Sequence, residues 1–222
     1  MHRIPTISTK LLASIAFFGS VLFAAPAAIA QGVPPAAPGR TSTPVRELAD
    51  AKLVVRLRAG GLTIYLRHVA TDFSRDDTQS RGPDDCANQR PLTDAGRDDA
   101  RAIGKLLQQL KIPVGDVLAS PTCRTVETGM LVFGRATPAP AVRGGPPGDE
   151  PDRWRALRQL LATPPARGNR AIASHGNPIY AVAGGPYLSE GEALIIHPLR
   201  SDFEVIARLR RADWERLTSA GF

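Results

Sequence analysis

The hydrophobic positions fall into short blocks whose spacing switches between the helical and the strand period. Val45, Leu48, Ala49, Leu53 and Leu57 recur three or four residues apart, with Arg46, Glu47, Asp50 and Arg56 mainly opposite, which predicts a helix over 45–59 stopped by Gly60-Gly61. Leu62 to Leu66 is a compact β-rich run that delivers Arg67-His68 at its carboxyl end. Residues 72–91 form a long polar loop, and unstructured stretches of that length are more often functional than connective. A helix starts at Thr93. Ala95, Ala102, Ile103, Leu106, Leu107 and Leu110 share one face of it, Asp94 suits the dipole in its first turn, and Asp99 is the one charge in the stripe. Residues 114–119 read as a second strand. Ser120-Pro121 then opens a helix to Phe133, because proline favours the first helical position. Residues 134–151 read as loop, with a short strand near 139–142. Residues 154–161 are helical, and 170–174 form a strand running into His175-Gly176-Asn177-Pro178 and a short helix. Two strands, 193–196 and 203–209, close the chain as an edge hairpin.

This order predicts an α/β fold, a three-layer α/β/α sandwich around a mostly parallel sheet, in which ligands gather beyond the carboxyl ends of the strands. The N-terminal segment stands apart from it. Residues 1–30 combine the basic His2, Arg3 and Lys10 with an uncharged run over 11–25, too short for a comfortable membrane span, and end in Ala28-Ile29-Ala30, a small-x-small cleavage site. That is the layout of a secretory signal peptide, an uncleaved anchor being the alternative, and it predicts a periplasmic or secreted protein. Residues 31–44 are Pro-rich and read as a flexible tether, leaving 45–222 as the folded domain.

Composition narrows the field further. The apolar fraction of 43% and charged fraction of 22% suit a folded domain. The whole chain carries a formal charge of +7, and without residues 1–30 there remain 26 basic side chains against 21 acidic, a surplus that favours anionic partners. Nucleic acid is not the expected partner, since the arginines are scattered and aromatic residues make up only 5%. Cys86 and Cys123 are either one disulfide, closing a loop of about 36 residues worth roughly 3–4 kcal/mol, or two independent thiols.

The chemistry concentrates where strands end: Arg67-His68, Ser120 to Arg124, and His175. Two guanidiniums, two imidazoles and two helix N-termini at one mouth make a site for a dianionic phosphate. Neighbouring arginines keep such an imidazole neutral, and a neutral imidazole nitrogen is a competent nucleophile toward phosphorus. His2 and His197 receive no role. At these residues the chain resembles the histidine phosphatase, or phosphoglycerate-mutase-like, superfamily. The resemblance is carried by L-R-H-x-x-T at 66–71, L-T-x-x-G at 92–96, S-P-x-x-R-x-x-x-T at 120–128 and S-H-G-N-P at 174–178. It implies a phosphoglycerate-mutase-like fold, His68 as nucleophile forming a phosphohistidine, and Arg67, Arg124 and His175 as phosphoryl ligands. It implies no cofactor and no metal. Val69 stands where the family commonly has glycine, which is similar to small exported branches, among them periplasmic phosphatases acting on lipopolysaccharide core sugars. The expected substrate is a phosphorylated small molecule or envelope sugar phosphate.

Hydrolysis also needs a proton for the leaving oxygen. The candidates are Asp72, Glu127, Asp149, Glu150, Glu190 and Glu192. Glu192 is preferred, because the Ser189-Glu190-Gly191 turn could aim it at the mouth, whereas Glu127 lies one helical turn from Arg124 and suits a local ion pair. A carboxylic acid among arginines is expected to be scarce at neutral pH, which predicts an acidic optimum. The rival reading is a non-catalytic module of the same fold that binds phosphate without turnover. No thiol-phosphatase loop, G-x-S-x-G elbow or Walker loop is present, and His68 and His175 lack metal-ligand spacing.

Overall fold

The computed structural model describes residues 50–145 and 152–221. The segment 1–30, the tether 31–44, the first residues of the 45–59 helix, and Asp149 and Glu150 lie outside them. The described residues form α1 (Asp50–Ala59), β1 (Thr63–Arg67), α2 (Asp94–Gln109), β2 (Val114–Ala119), α3 (Cys123–Phe133), β3 (Thr137–Pro138), α4 (Arg155–Ala162), β4 (Asn169–Ser174), α5 (Gly176–Ala183), β5 (Ala193–Pro198), β6 (Phe203–Leu209) and α6 (Arg211–Ser219). The strands make one sheet in the order β3-β2-β4-β1-β5-β6. Its first four strands are mutually parallel, and β5 runs antiparallel to both β1 and β6.

Alternation along the strands divides the core in two. Ile64 and Leu66 face α1, α2 and α6 through Leu53, Leu57, Ile103, Leu107 and Trp214, whereas Tyr65 faces α4 and α5 through Leu157, Leu161 and Ile179. The register shift in the β5–β6 pairing reverses that parity within β6. Phe203 and Val205 pack into the second cluster, and Ala207 and Leu209 into the first. The three layers expected from the sequence are therefore present.

The elements differ from expectation in three places. The segment expected as a strand near 139–142 is a 3-10 turn, Pro140–Val142, and the short edge strand is the two-residue β3 before it. α3 begins at Cys123 with Thr122 as its N-cap, so Pro121 sits ahead of the helix and not at its first position. α6 has no counterpart in the sequence reading, because it buries only Trp214 and Leu217 and Arg211, Asp213, Glu215 and Arg216 carry charge around them.

Register explains where chemistry can occur. β2, β4 and β1 are adjacent and parallel, with Arg67 opposite Ser174 and Ala119 opposite Ala173. The His68 amide donates to the Ser174 carbonyl and the Ser120 amide to that of Ala173, at 2.9 Å each. Three strand ends thus stop at one level. The polar loop then crosses this end of the sheet, fastened by a Cys86–Cys123 disulfide with Cα atoms 5.6 Å apart. Of the two cysteine states left open by the sequence, the bonded one is present.

Candidate active site

His68 leaves β1 fully inside the protein, 2% exposed. Its Nδ1 lies 3.0 Å from the Val69 carbonyl, which can only accept, so Nδ1 carries the proton and Nε2 keeps its lone pair. Burial, reinforced by His175 and by Arg67 and Arg124 and only partly opposed by the Val69 bond, holds His68 well below the usual histidine range. It is a neutral imidazole of fixed tautomer. The loop behind it is held by two neighbouring helices: at the start of α2, Thr93 N–H donates to the Ala70 carbonyl at 2.9 Å, and Val69 N–H donates to Thr128 Oγ1 in the middle of α3 at 3.4 Å. Thr93 caps α2 by accepting from Gly96 N–H. Gly96 must be glycine, since a Cβ there would stand 2.4 Å from the Ala70 carbonyl oxygen. The L-T-x-x-G spacing thus lets α2 press directly on the His68 loop.

His175 is the N-cap of α5, 8% exposed, with its ring edge-on to that of His68 at a centroid distance of 5.4 Å. Its Nε2 pairs with Ser120 Oγ at 2.9 Å, and its carbonyl accepts from the Tyr65 hydroxyl. Burial first, then Arg124 and Arg67, depress its pKa to about 3. Two loops close over it. A Cβ on Gly144 would meet its ring at 2.4 Å, and one on Gly176 would meet Tyr187 at the same distance.

Three guanidiniums surround the two rings. Arg67 donates from Nη1 to the Leu188 carbonyl at 2.6 Å and lies 5.4 Å from the Tyr187 ring centre. Arg124, on the first turn of α3, is 8% exposed. Arg90, from the polar loop, stacks on Phe73 at 4.3 Å and stands 4.0 Å from Glu190. Each of the three keeps a buried Nε without a hydrogen-bond partner. Arg90 was not among the residues expected from the sequence, although its place just before Pro91-Leu92-Thr93 ties it to the α2 start that packs on the His68 loop.

The carboxylates separate cleanly. Glu192, the preferred acid, is 3% exposed and bound by Arg208 through two 2.8 Å contacts, with Ser189 N–H and Arg210 also on it. Burial pushes its pKa up, but these donors outweigh that and hold it below the usual range. The Ser189-Glu190-Gly191 turn does not aim Glu192 at the mouth. The chain turns at Gly191, φ +75°, with Glu190 on the inner side, while Glu192 stands just before β5 with its carboxylate against Arg208 of β6. Glu190 accepts from Thr71 Oγ1 at 2.7 Å and Thr71 N–H at 3.1 Å, and its Oε1 lies 3.5 Å from Arg67 and 3.8 Å from His68 Nδ1. Glu127 is paired with Arg97 at 2.6 Å, and Asp72 accepts from the Ser74 hydroxyl and N–H. Asp77, a loop residue that the sequence did not single out, accepts a hydrogen bond from Arg124 Nη1 and has its other oxygen 2.9 Å from Nη2.

One helix N-terminus is already occupied. The first N–H of α3, that of Cys123, donates to Gln89 Oε1 at 3.0 Å, so the loop takes this donor from any ligand. Beside Arg124 a cavity of about 700 Å³ opens between Pro83, Cys86, Arg90, Pro121, Thr122 and Val126. Among the described residues no cluster of three or more His, Cys, Asp or Glu side chains could hold a metal, and no helix is long and apolar enough to cross a membrane.

No protein-family model matches the chain, and no curated protein matches it. Solved structures do. One is the protein histidine phosphatase SixA complexed with tungstate, at 18% identity and a TM-score of 0.49, covering 68% of this chain and 97% of that one. Another is Bacillus stearothermophilus YhfR, at 19% identity and 0.46, covering 65% and 94%. A third is a phosphoserine phosphatase variant from Entamoeba histolytica in complex with phosphoserine, at 11% identity and 0.47, covering 66% and 95%.

Proposed function

We propose that this protein is a phosphatase that hydrolyses phosphomonoesters through a phosphohistidine on Nε2 of His68. The observation that carries this reading is a neutral, oriented imidazole set among three guanidiniums whose buried Nε atoms lack partners. Crowded like charges and unmet donors both cost free energy, and a dianionic phosphoryl group answers both. Phosphoryl transfer asks chiefly for positioning and for donors where charge spreads over the equatorial oxygens. Arg67, Arg90 and Arg124 supply those donors, and His175, held by Ser120, adds a hydrogen bond. Glu190 fixes Arg67 and Thr71 and lies on the Nδ1 side of His68, so it orients the nucleophile.

The reaction runs in two displacements. The Nε2 lone pair attacks phosphorus as the ester P–O bond breaks, and water then attacks the phosphohistidine and returns the pair to Nε2. The expected substrate is a phosphorylated small molecule, an envelope sugar phosphate among the options, and the protein acts after export. The signal-like segment 1–30 and the disulfide support that location, since disulfides persist in oxidising compartments.

Hydrolysis of p-nitrophenyl phosphate without added metal, compared with His68→Ala, tests the reading. Turnover by the native protein and none by the variant is expected. Undiminished hydrolysis by the variant, or phosphate binding by a native protein that hydrolyses no monoester, would contradict it.

A further inference from the structure

A carboxylate occupies the seat that the phosphoryl group would need. Asp77 Oδ1 lies 3.1 Å from Arg124 Nη1, and its Oδ2 lies 2.9 Å from Nη2. Two carboxylate oxygens thus stand against the two terminal nitrogens of one guanidinium, where two oxygens of a phosphoryl group would stand. Oδ1 also accepts from Arg90 N–H at 2.7 Å, which anchors the carboxylate within its own loop. The charged groups facing it are Arg124 from α3, Arg90 from the loop and, at longer range, His175 from the start of α5. Its side chain is 43% exposed, so it stands on the solvent side of the mouth, whereas His68 is on the buried floor.

Direction selects among the carboxylates. An in-line displacement puts the leaving oxygen on the far side of phosphorus from Nε2, toward the mouth. Glu190 lies at the opposite ring edge, beside Nδ1. Glu192 and Glu127 are committed to Arg208 and Arg97, and Asp72 to the Ser74 turn. Among the described residues, Asp77 is the carboxylate that touches Arg124, while Asp84 lines the cavity beyond it.

We propose that the incoming phosphoryl group displaces Asp77 from Arg124, and that Asp77 then acts as general acid for the leaving oxygen and general base for the hydrolytic water. The assignment rests on the phosphatase reading above. Once displaced, the carboxylate has a dianion for a neighbour in place of a cation, which favours uptake of a proton from solvent. As Nε2 attacks, the P–O bond breaks, its electron pair stays on the ester oxygen, and that oxygen takes the Asp77 proton to leave as an alcohol. Ionised Asp77 next removes a proton from water, whose oxygen bonds to phosphorus while the P–N pair returns to His68. Phosphate departs, and Asp77 is again protonated. It can then lose that proton to solvent and settle back on Arg124.

Asp77→Asn tests this, because the amide oxygen can still accept from Arg90 N–H while the side chain can no longer donate an acidic proton. The purified protein is assayed on p-nitrophenyl phosphate, whose leaving group needs little protonation, and on an alkyl phosphomonoester such as glycerol phosphate, whose leaving group needs it fully. Inorganic phosphate binding is measured by calorimetry. The expected result is a loss in kcat/KM, which reads the first displacement alone, of about 10² or more on the alkyl ester, within the range for a lost general acid, and less than about tenfold on the aryl ester. Phosphate should bind about two- to fivefold more tightly, the size of a half-exposed ion pair removed from the seat. Equal losses of kcat/KM on both esters, no loss on either, or weaker phosphate binding would overturn the assignment while native turnover left the phosphatase reading standing. A native protein inactive on both esters would overturn both.

Discussion

Two imidazoles buried among arginines must register in stability as pH falls. His175, with a pKa near 3, stays neutral from pH 7 to pH 5, whereas in the unfolded chain an ordinary imidazole near 6.5 goes from mostly neutral to almost fully protonated. The unfolded state therefore binds more protons in this window, and stability falls with falling pH. Integrated from pH 7 to 5, His175 alone accounts for about 2 kcal/mol, and His68, depressed for the same reasons, adds to it. The window lies above most carboxylate titration, so the acidic residues do not mask it. Urea unfolding in phosphate-free buffer at pH 7, 6 and 5 should show the midpoint falling by about 1 M or more, for a slope near 2 kcal/mol/M. His175→Asn should lose its share of that dependence. Stability that is flat or rising toward pH 5, or a full dependence retained in the variant, would refute the argument.

Three further outcomes follow from particular contacts. Replacing Cys86 and Cys123 by serine should cost roughly 3–4 kcal/mol, read as a drop in melting temperature of roughly 10 °C, and should weaken phosphate binding because the bond fastens the Arg90 loop to the helix carrying Arg124. Gly96→Ala, whose Cβ would collide with the Ala70 carbonyl, should destabilise by about 1–3 kcal/mol and lower kcat by moving the loop behind His68; unchanged kinetics would show that α2 does not position it. Glu192→Gln should lower the melting temperature by uncoupling β5 from Arg208 while leaving kcat within about threefold, and a loss beyond about 10² in a folded variant would return Glu192 to the reaction.

Much of this architecture was legible because strand-end chemistry is written locally. Arg67-His68, Ser120 and His175 each follow a short β-rich run, and parallel neighbours in matching register bring such ends together. The glycines of L-T-x-x-G and S-H-G have their reason in a helix pressed on Ala70 and a Tyr187 ring against Gly176. What was not legible depends on the path of a loop. Arg90 and Asp77 reach the mouth because a disulfide and Gln89 pin residues 72–91 across the strand ends, and no periodicity encodes such a path. Glu192 misled because a turn aims side chains through one dihedral: around the left-handed Gly191, Glu190 faces inward and Glu192, just ahead of β5, faces Arg208. α6 escaped notice because two buried side chains are too few to set a period.

The central claim is that the phosphoryl group passes through Nε2 of His68. Brief incubation with p-nitrophenyl phosphate, followed by an alkaline quench that preserves phosphohistidine, and peptide mass spectrometry would test it most directly. The account predicts one phosphoryl group on the peptide carrying His68, present in the native protein and absent from His68→Ala. Turnover with the phosphoryl group on another residue, or turnover surviving in the variant, would contradict it.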